Sequence, residues 1–95
     1  MGLVRSVALE VAKSGVTCNA ICPGFTDTDL AETAITGLMG RFDVPREKAT
    51  AMVVSGNPQA RLIEPSEIAA TALFLASPAA GSINGHALSV SGGEV

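Results

Sequence analysis

The residues best suited to meeting a ligand lie together in the run VTCNAICPGFTDT, positions 16–28. Pro23 lacks a backbone donor and Gly24 lacks a side chain, so the pair leaves a bare, turned main chain that a flat molecule can approach closely. Thr26 and Thr28 place hydroxyls beside it, with Asp27 between them. Residues 16–22, just before Pro23, have the length and composition of a β-strand. The polar group therefore falls past a strand's carboxyl end, the edge of an open α/β sheet where ligands bind. The same residues would equally serve an ordinary strand-to-helix turn, capping the helix that follows.

Other chemistry-bearing residues are sparse. On one strand Cys18 and Cys22 share a face but stand ~13 Å apart, beyond the roughly 7 Å between Cα atoms that a disulfide tolerates. Their spacing does not fit a zinc knuckle, and the single His86 lies far off in sequence, so no metal site is expected. The net charge is −3, the six Lys and Arg residues are scattered, and there is no Trp or Tyr. That excludes an electrostatic footprint for nucleic acid or an anionic membrane, and any aromatic stacking platform. The uncharged run 68–90 is interrupted by Pro78, Gly81 and Gly85, which argues against a membrane span. Residues 1–11 carry Arg5 and Glu10 within their apolar part and lack a signal peptide's order, so the expected compartment is the cytoplasm.

The elements that must position the Pro-Gly turn follow from periodicity. Leu3, Val4, Val7, Ala8, Val11 and Ala12 recur at helical spacing over residues 2–13, and Gly15 stands at a C-cap position. This helix has no N-cap and looks cut rather than started. The strand at 16–22 presents compact residues to both sides, as a strand covered on both faces does. Its one polar exception, Asn19, is expected to hydrogen-bond backbone at the sheet edge. A short helix is expected over 29–39 and a second over 45–54, with a flexible 40–44 between them. Two short helices inserted after a ligand-edge turn are built like a lid, though an ordinary helical excursion reads the same way. Glu64-Pro65-Ser66-Glu67 starts a fourth helix with a buried stripe of Ile68, Ala69, Ala72, Leu73 and Ala76, ending at Ser77-Pro78. A second strand follows at 87–91, then Gly92-Gly93. Two strands joined by a helical crossover imply parallel pairing.

Ninety-five residues make at most one domain, and a chain of this size buries little more than ~60% of its unfolded surface. Yet 47% of the residues are hydrophobic and only 16% charged, against about 25% charged in an average domain. Part of that apolar surface is expected to pack against another subunit or the rest of a larger domain.

The ordered set GLVRSVALEVAKSG, VTCNAICPGFTDT, NPQARLIEPSEIAATALFLAS and INGHALSVSGG resembles the C-terminal part of a short-chain dehydrogenase/reductase. The resemblance covers essentially the whole chain but less than half of a complete family member. It implies an α/β fold: the C-terminal part of a Rossmann-type doubly wound parallel sheet, with two strands and about four helices, incomplete on its own. Residues 1–95 would be a single partial domain, with a substrate-binding lobe or lid over 27–60. The complete protein would be an NAD(P)-dependent oxidoreductase interconverting an alcohol and a ketone, and NPQARL with SGGEV leans towards 3-oxoacyl or 3-hydroxyacyl substrates, including 3-hydroxybutyrate. By that resemblance Pro23 and Gly24 lie against the nicotinamide of NAD or NADP. Phe25 and Thr26 offer backbone groups to its carboxamide, and the Thr28 hydroxyl helps hold the carboxamide or pyrophosphate. Thr26 stands where the family commonly has an apolar β-branched residue, which favours its backbone role over its side chain. Leu30, Met39, Phe42, Met52 and Val53 are the candidates for an apolar substrate pocket.

The family's Gly-rich phosphate loop, its ribose-reading residue, its catalytic Ser and its Tyr-x-x-x-Lys pair would all precede Met1. The chain contains no Tyr, so it is expected to carry no catalytic residue and to be inactive alone, and the choice between NAD and NADP is not encoded in it. The first helix resembles one that pairs across subunits in family tetramers, and the helix from Pro65 with the last strand resembles the other main interface. The expected partners are thus the missing N-terminal half or other subunits of a homo-oligomer. The rival reading is a non-catalytic interaction module docking onto a full-length relative, and a third is an independent small α/β binding protein.

Overall fold

A computed structural model describes residues 2–94; the 1–95 extent expected for the domain runs one residue beyond that at either end. The order of elements is α1 (Gly2–Val11), β1 (Ala20–Pro23), α2 (Asp29–Phe42), α3 (Arg46–Val53), α4 (Pro65–Leu75), a 3-10 turn at Pro78–Ala80, and β2 (Ala87–Val90). The two strands pair in parallel, with Ala20 opposite Ala87 and Pro23 opposite Val90. Both strands therefore end at the same edge, which puts the Pro-Gly turn beside Ser91.

β1 is shorter than the expected 16–22, and its start is displaced for an identifiable reason. Upstream of Ala20 two asparagine side chains take over part of the ladder, beside a main-chain bond from the Gly85 N–H to the Cys18 carbonyl at 2.8 Å. The Cys18 N–H donates to Asn84 Oδ1 at 3.0 Å, and Asn19 donates through Nδ2 to the Ile83 carbonyl at 3.0 Å while its Oδ1 accepts from His86 N–H at 3.0 Å. Asn19 thus has the backbone-bonding role expected of it. Pro23 is the last residue of the strand rather than its stop, because the donor it lacks is not needed there: Gly24 N–H makes the next bond, to the Val90 carbonyl at 3.1 Å. Both cysteines are free thiols.

α1 ends at Val11, and Gly15 takes the left-handed conformation, φ 83°, expected of a residue closing the helix. Of its apolar stripe only Ala8 is buried, where Gly85 comes close enough that a Cβ there would stand 3.4 Å from the Ala8 methyl. Leu3 is 79% exposed, contrary to the packing its spacing implies.

α2 runs to Phe42, through the segment expected to be a flexible joint, so Gly37 and Gly40 lie inside the helix. The joint is Asp43, left-handed at φ 51°, followed by Val44 and Pro45. Here packing overrides the weak propensity of glycine, which disfavours a helix by only about 1 kcal/mol per residue. Ala31 and Ile35 of α2, Ala49 of α3, and Val54 and Ile63 form a closed apolar cluster, each 4% exposed or less. An exposed Arg46–Glu32 ion pair spans the two helices and holds the Glu32 carboxyl below the usual range, chiefly by the hydrogen bond from Arg46.

α4 begins where its acidic cap predicts, with Glu67 Oε2 accepting the Glu64 N–H at 2.8 Å. Its expected buried stripe is not realised. None of its residues is buried, and Leu73 and Phe74 are 74% and 48% exposed, because the elements α4 packs on chiefly, β1 and the 3-10 turn, are both short. The molecule is elongated as a result, 56 × 24 × 22 Å with a radius of gyration of 16.9 Å, where about 12 Å would fit a compact chain of this length.

Candidate functional site

At the shared carboxyl edge of β1 and β2 lies an open groove of about 660 Å³. Cys22, Pro23, Gly24, Phe25, Thr26 and Thr28 line it from β1 and the turn after it; Ser89, Ser91 and Glu94 line it from β2 and its exit, and Leu30 and Ala31 close it from α2. All five residues expected to meet a cofactor, Pro23, Gly24, Phe25, Thr26 and Thr28, are thus brought together. Of the five expected at the substrate, Leu30 joins them. Met39, Phe42, Met52 and Val53 lie on the far parts of α2 and α3 and do not line the groove. The ring of Phe42 instead lies under the Arg41 guanidinium, 5.5 Å from its centroid.

Two contacts fix the shape of this edge. A Cβ on Gly24 would stand 3.3 Å from both Cα and Cβ of Ser91, so the turn approaches β2 closely because residue 24 has no side chain. After Phe25 the chain is held to the segment before α4: Ile63 N–H donates to the Phe25 carbonyl and Asp27 N–H to the Ile63 carbonyl, both at 2.8 Å. The Phe25 carbonyl is thereby engaged, which leaves its amide as the freer of the two groups.

The threonines are set locally. Thr26 Oγ1 donates to the Gly24 carbonyl at 3.1 Å, and Thr28 Oγ1 donates to the Thr26 carbonyl at 3.2 Å. Each hydroxyl has one proton and two lone pairs, so committing the proton to main chain leaves an acceptor. Such hydroxyls suit an N–H donor, as in a carboxamide, better than a phosphate oxygen.

The electrostatics point the same way. Glu94 is the only charged side chain among the lining residues, and no Lys or Arg reaches the groove. Outside the lining, Arg61 grips Glu67 through two bonds of 2.9 and 2.8 Å. That grip, with the Glu64 N–H, holds the Glu67 carboxyl down at about 2. The groove therefore favours a neutral or cationic planar group with hydrogen-bonding edges, and its lining holds no cationic side chain for a pyrophosphate.

Five lining residues escaped the sequence reading: Cys22, Ala31 and, from β2 and its exit, Ser89, Ser91 and Glu94. The signal for the last three was available, since parallel strands end at one edge and the residues after β2 must face those after β1. Asn57, 8% exposed, enters the sequence reading only as the first residue of NPQARL, with no role of its own. It organises the loop 57–61, accepting the Gln59 N–H on Oδ1 at 2.7 Å and donating from Nδ2 to the Arg61 carbonyl at 2.9 Å.

Comparison with known proteins agrees with this architecture. The family model described as enoyl-(acyl carrier protein) reductase matches residues 1–94. The chain belongs to the short-chain dehydrogenase/reductase family, and its two strands and four helices are part of a Rossmann-type sheet. It is 39% identical to D-beta-hydroxybutyrate dehydrogenase of Rhizobium meliloti over 98% of this chain and 36% of that protein. It is likewise 39% identical to 3-oxoacyl-(acyl-carrier-protein) reductase FabG of Vibrio harveyi, over 98% of this chain and 34% of the relative. A crystal structure of actinorhodin polyketide ketoreductase with NADPH superposes with a TM-score of 0.83 at 33% identity, covering 97% of this chain and 35% of the other. The chain thus spans about a third of the length of the relatives it matches.

Proposed function

We propose that this chain forms the nicotinamide-side wall and the substrate lobe of an NAD(P)-dependent short-chain dehydrogenase/reductase that interconverts an alcohol and a ketone. The observation that carries this reading is the convergence of Pro23, Gly24, Phe25, Thr26 and Thr28 on one groove at the carboxyl edge of two parallel strands. The groove fits the neutral end of such a cofactor: apolar walls at Pro23, Phe25 and Leu30 for a flat ring, and hydroxyl acceptors for a carboxamide. When bound, the cofactor supplies the hydride. The residues of this chain orient the ring and exclude water from one side of it. The anionic end of the cofactor belongs on residues outside this groove, which has no cation to receive it.

A 3-oxoacyl or 3-hydroxyacyl substrate is supported by similarity to the 3-oxoacyl reductase and the hydroxybutyrate dehydrogenase, and helices α2 and α3 (residues 27–60 with their flanks) form the lobe over it. The reading places the enzyme in the cytoplasm; among the described residues no helix is long and apolar enough to cross a membrane. Without a Tyr the 95 residues supply no general acid of the family's kind, and the isolated chain turns nothing over. Incubating the purified chain with NADPH or NADH and a 3-oxoacyl thioester tests this: no cofactor oxidation is expected, and sustained turnover refutes it. In a complete enzyme carrying this chain, Thr28→Ala removes one hydrogen-bonding group of about 1 kcal/mol and raises the cofactor KM about fivefold.

One observation is shared with a second reading, a non-catalytic interaction module. Leu3, Leu9, Leu73 and Phe74 are exposed on α1 and α4, the faces that would serve a homo-oligomer or a docking module. Sedimentation of the chain distinguishes them, a module giving a defined soluble oligomer and a partial domain giving aggregate.

A further inference from the structure

The turn after β2 is wedged against the loop that leaves the helical lobe, and the fit depends on one side chain. Gly92 is left-handed, φ 69°, and a Cβ built on it would collide with the Asn57 amide, coming within 2.6 Å of both Cγ and Nδ2. The amide occupies the space a side chain at residue 92 would fill. All of its polar groups that the loop uses are satisfied: Oδ1 by Gln59 N–H, Nδ2 by the Arg61 carbonyl. Its own N–H donates to the Val54 carbonyl at 2.9 Å and its carbonyl accepts from Ala60 N–H at 2.8 Å, so it is tied on every side to the lobe. One residue earlier, Glu94 reaches back over Gly56, where a Cβ would stand 2.6 Å from Glu94 Oε2. Residues 56 and 57 thus both lie close against the C-terminal turn.

Immediately before Gly92 stands Ser91, also 8% exposed, with Oγ donating to the Glu94 carbonyl at 2.7 Å. Ser91 is the residue that leaves Gly24 no room for a side chain, since a Cβ there would stand 3.3 Å from it, and both line the groove. A continuous line of close contacts therefore runs from Asn57 through Gly92 and Ser91 to Gly24. At close packing, a shift of one member is passed to the next rather than absorbed.

We propose that Asn57 is a positioning residue for nicotinamide binding, setting the Gly24 turn through Gly92 and Ser91 while touching no ligand itself. This rests on the proposed function of the groove. Replacing Asn57 by Asp keeps the shape but turns the Nδ2 donor to the Arg61 carbonyl into an acceptor, setting two oxygens against each other. The loop must shift, and with it the wedge under Gly92. The alternative is that Asn57 only holds its own loop together.

The test uses a complete enzyme carrying this chain, with affinities for NAD(P)H and for ADP-ribose or its 2′-phosphate measured by fluorescence or calorimetry. Asn57→Asp is expected to weaken NAD(P)H binding five- to tenfold and leave the ligand that lacks nicotinamide within twofold. Asn57→Ser, which keeps a small polar group, serves if the first variant does not fold, and is expected to show the same split at two- to fivefold. Equal losses for both ligands, or none for either, would overturn the assignment and leave Asn57 a purely structural residue. A parent enzyme with no affinity for NAD(P)H would overturn the function of the groove itself.

Discussion

The α2–α3 hairpin and the two-stranded sheet are both small and apolar, yet they bury their surfaces differently. In the hairpin Ala31, Ile35 and Ala49 are 1%, 2% and 0% exposed, with Val54 and Ile63 completing the cluster. In the sheet neither β1 nor β2 holds a buried residue, and the helices beside it expose Leu3, Leu9, Leu73 and Phe74. The hairpin's cluster is closed by residues between 31 and 63, all local in sequence. The sheet's pairing joins residues 20–23 to 87–90, and a parallel pair with a free strand edge on each side is not an independently stable unit. The groove lies where the finished part meets the unfinished one, so its α2 wall is held by local packing while its floor depends on what covers the sheet.

The sharpest way to break the comparison is to empty the hairpin. Ile35→Ala or Ile63→Ala removes a fully buried side chain and is expected to destabilise the hairpin by about 2–5 kcal/mol, read as loss of helical signal in urea. A loss below about 1 kcal/mol would mean the cluster is not closed. Gly92→Ala comes next. It forces a non-glycine residue into a left-handed conformation and drives a methyl into Asn57, at an expected 1–3 kcal/mol on the order of other strained backbone sites. Leu73→Ser sharpens the other half: on an exposed position it should alter the stability of the chain itself by no more than about 0.5 kcal/mol while improving its solubility. A large loss would show that Leu73 is already packed.

The smallest effect belongs to the Arg61–Glu67 pair. The folded carboxyl titrates at about 2, below its ordinary value near 4.5, because Arg61 and the Glu64 N–H hold the charged form. A depressed acid contributes stability that is present above the ordinary value and lost as pH falls towards about 2. Glu67→Gln should therefore lower stability slightly at neutral pH and not at all near pH 2, flattening the acid limb, with a smaller effect at high salt because the pair is exposed.

Much of this was legible in the residues. Pro23-Gly24, the spacing of Thr26 and Thr28, and the Glu64-Pro65 start carry their own conformational instructions, and each lies where those instructions place it. What was not legible depended on partners distant in sequence. Nothing near Val16 announces that Asn84 will take over the bond of Cys18 and delay the strand. Nothing in Gly37 or Gly40 announces that Ala49 packing opposite α2 will carry the helix through them. The stripes of α1 and α4 were correctly apolar, but periodicity shows only that a face seeks cover, not that the cover is present. Asn57 escaped notice because its role depends on the missing side chain of Gly92, thirty-five positions away by their numbers.

Hydrogen exchange of the purified chain, residue by residue, tests the contrast between its halves most directly. The account predicts lasting protection at the amides of Ile35 and Ala49 in α2 and α3, and fast exchange at Ile21, Cys22 and Leu88 in the strands. Equal protection of strands and hairpin would contradict it, because the sheet would then be stable without further cover.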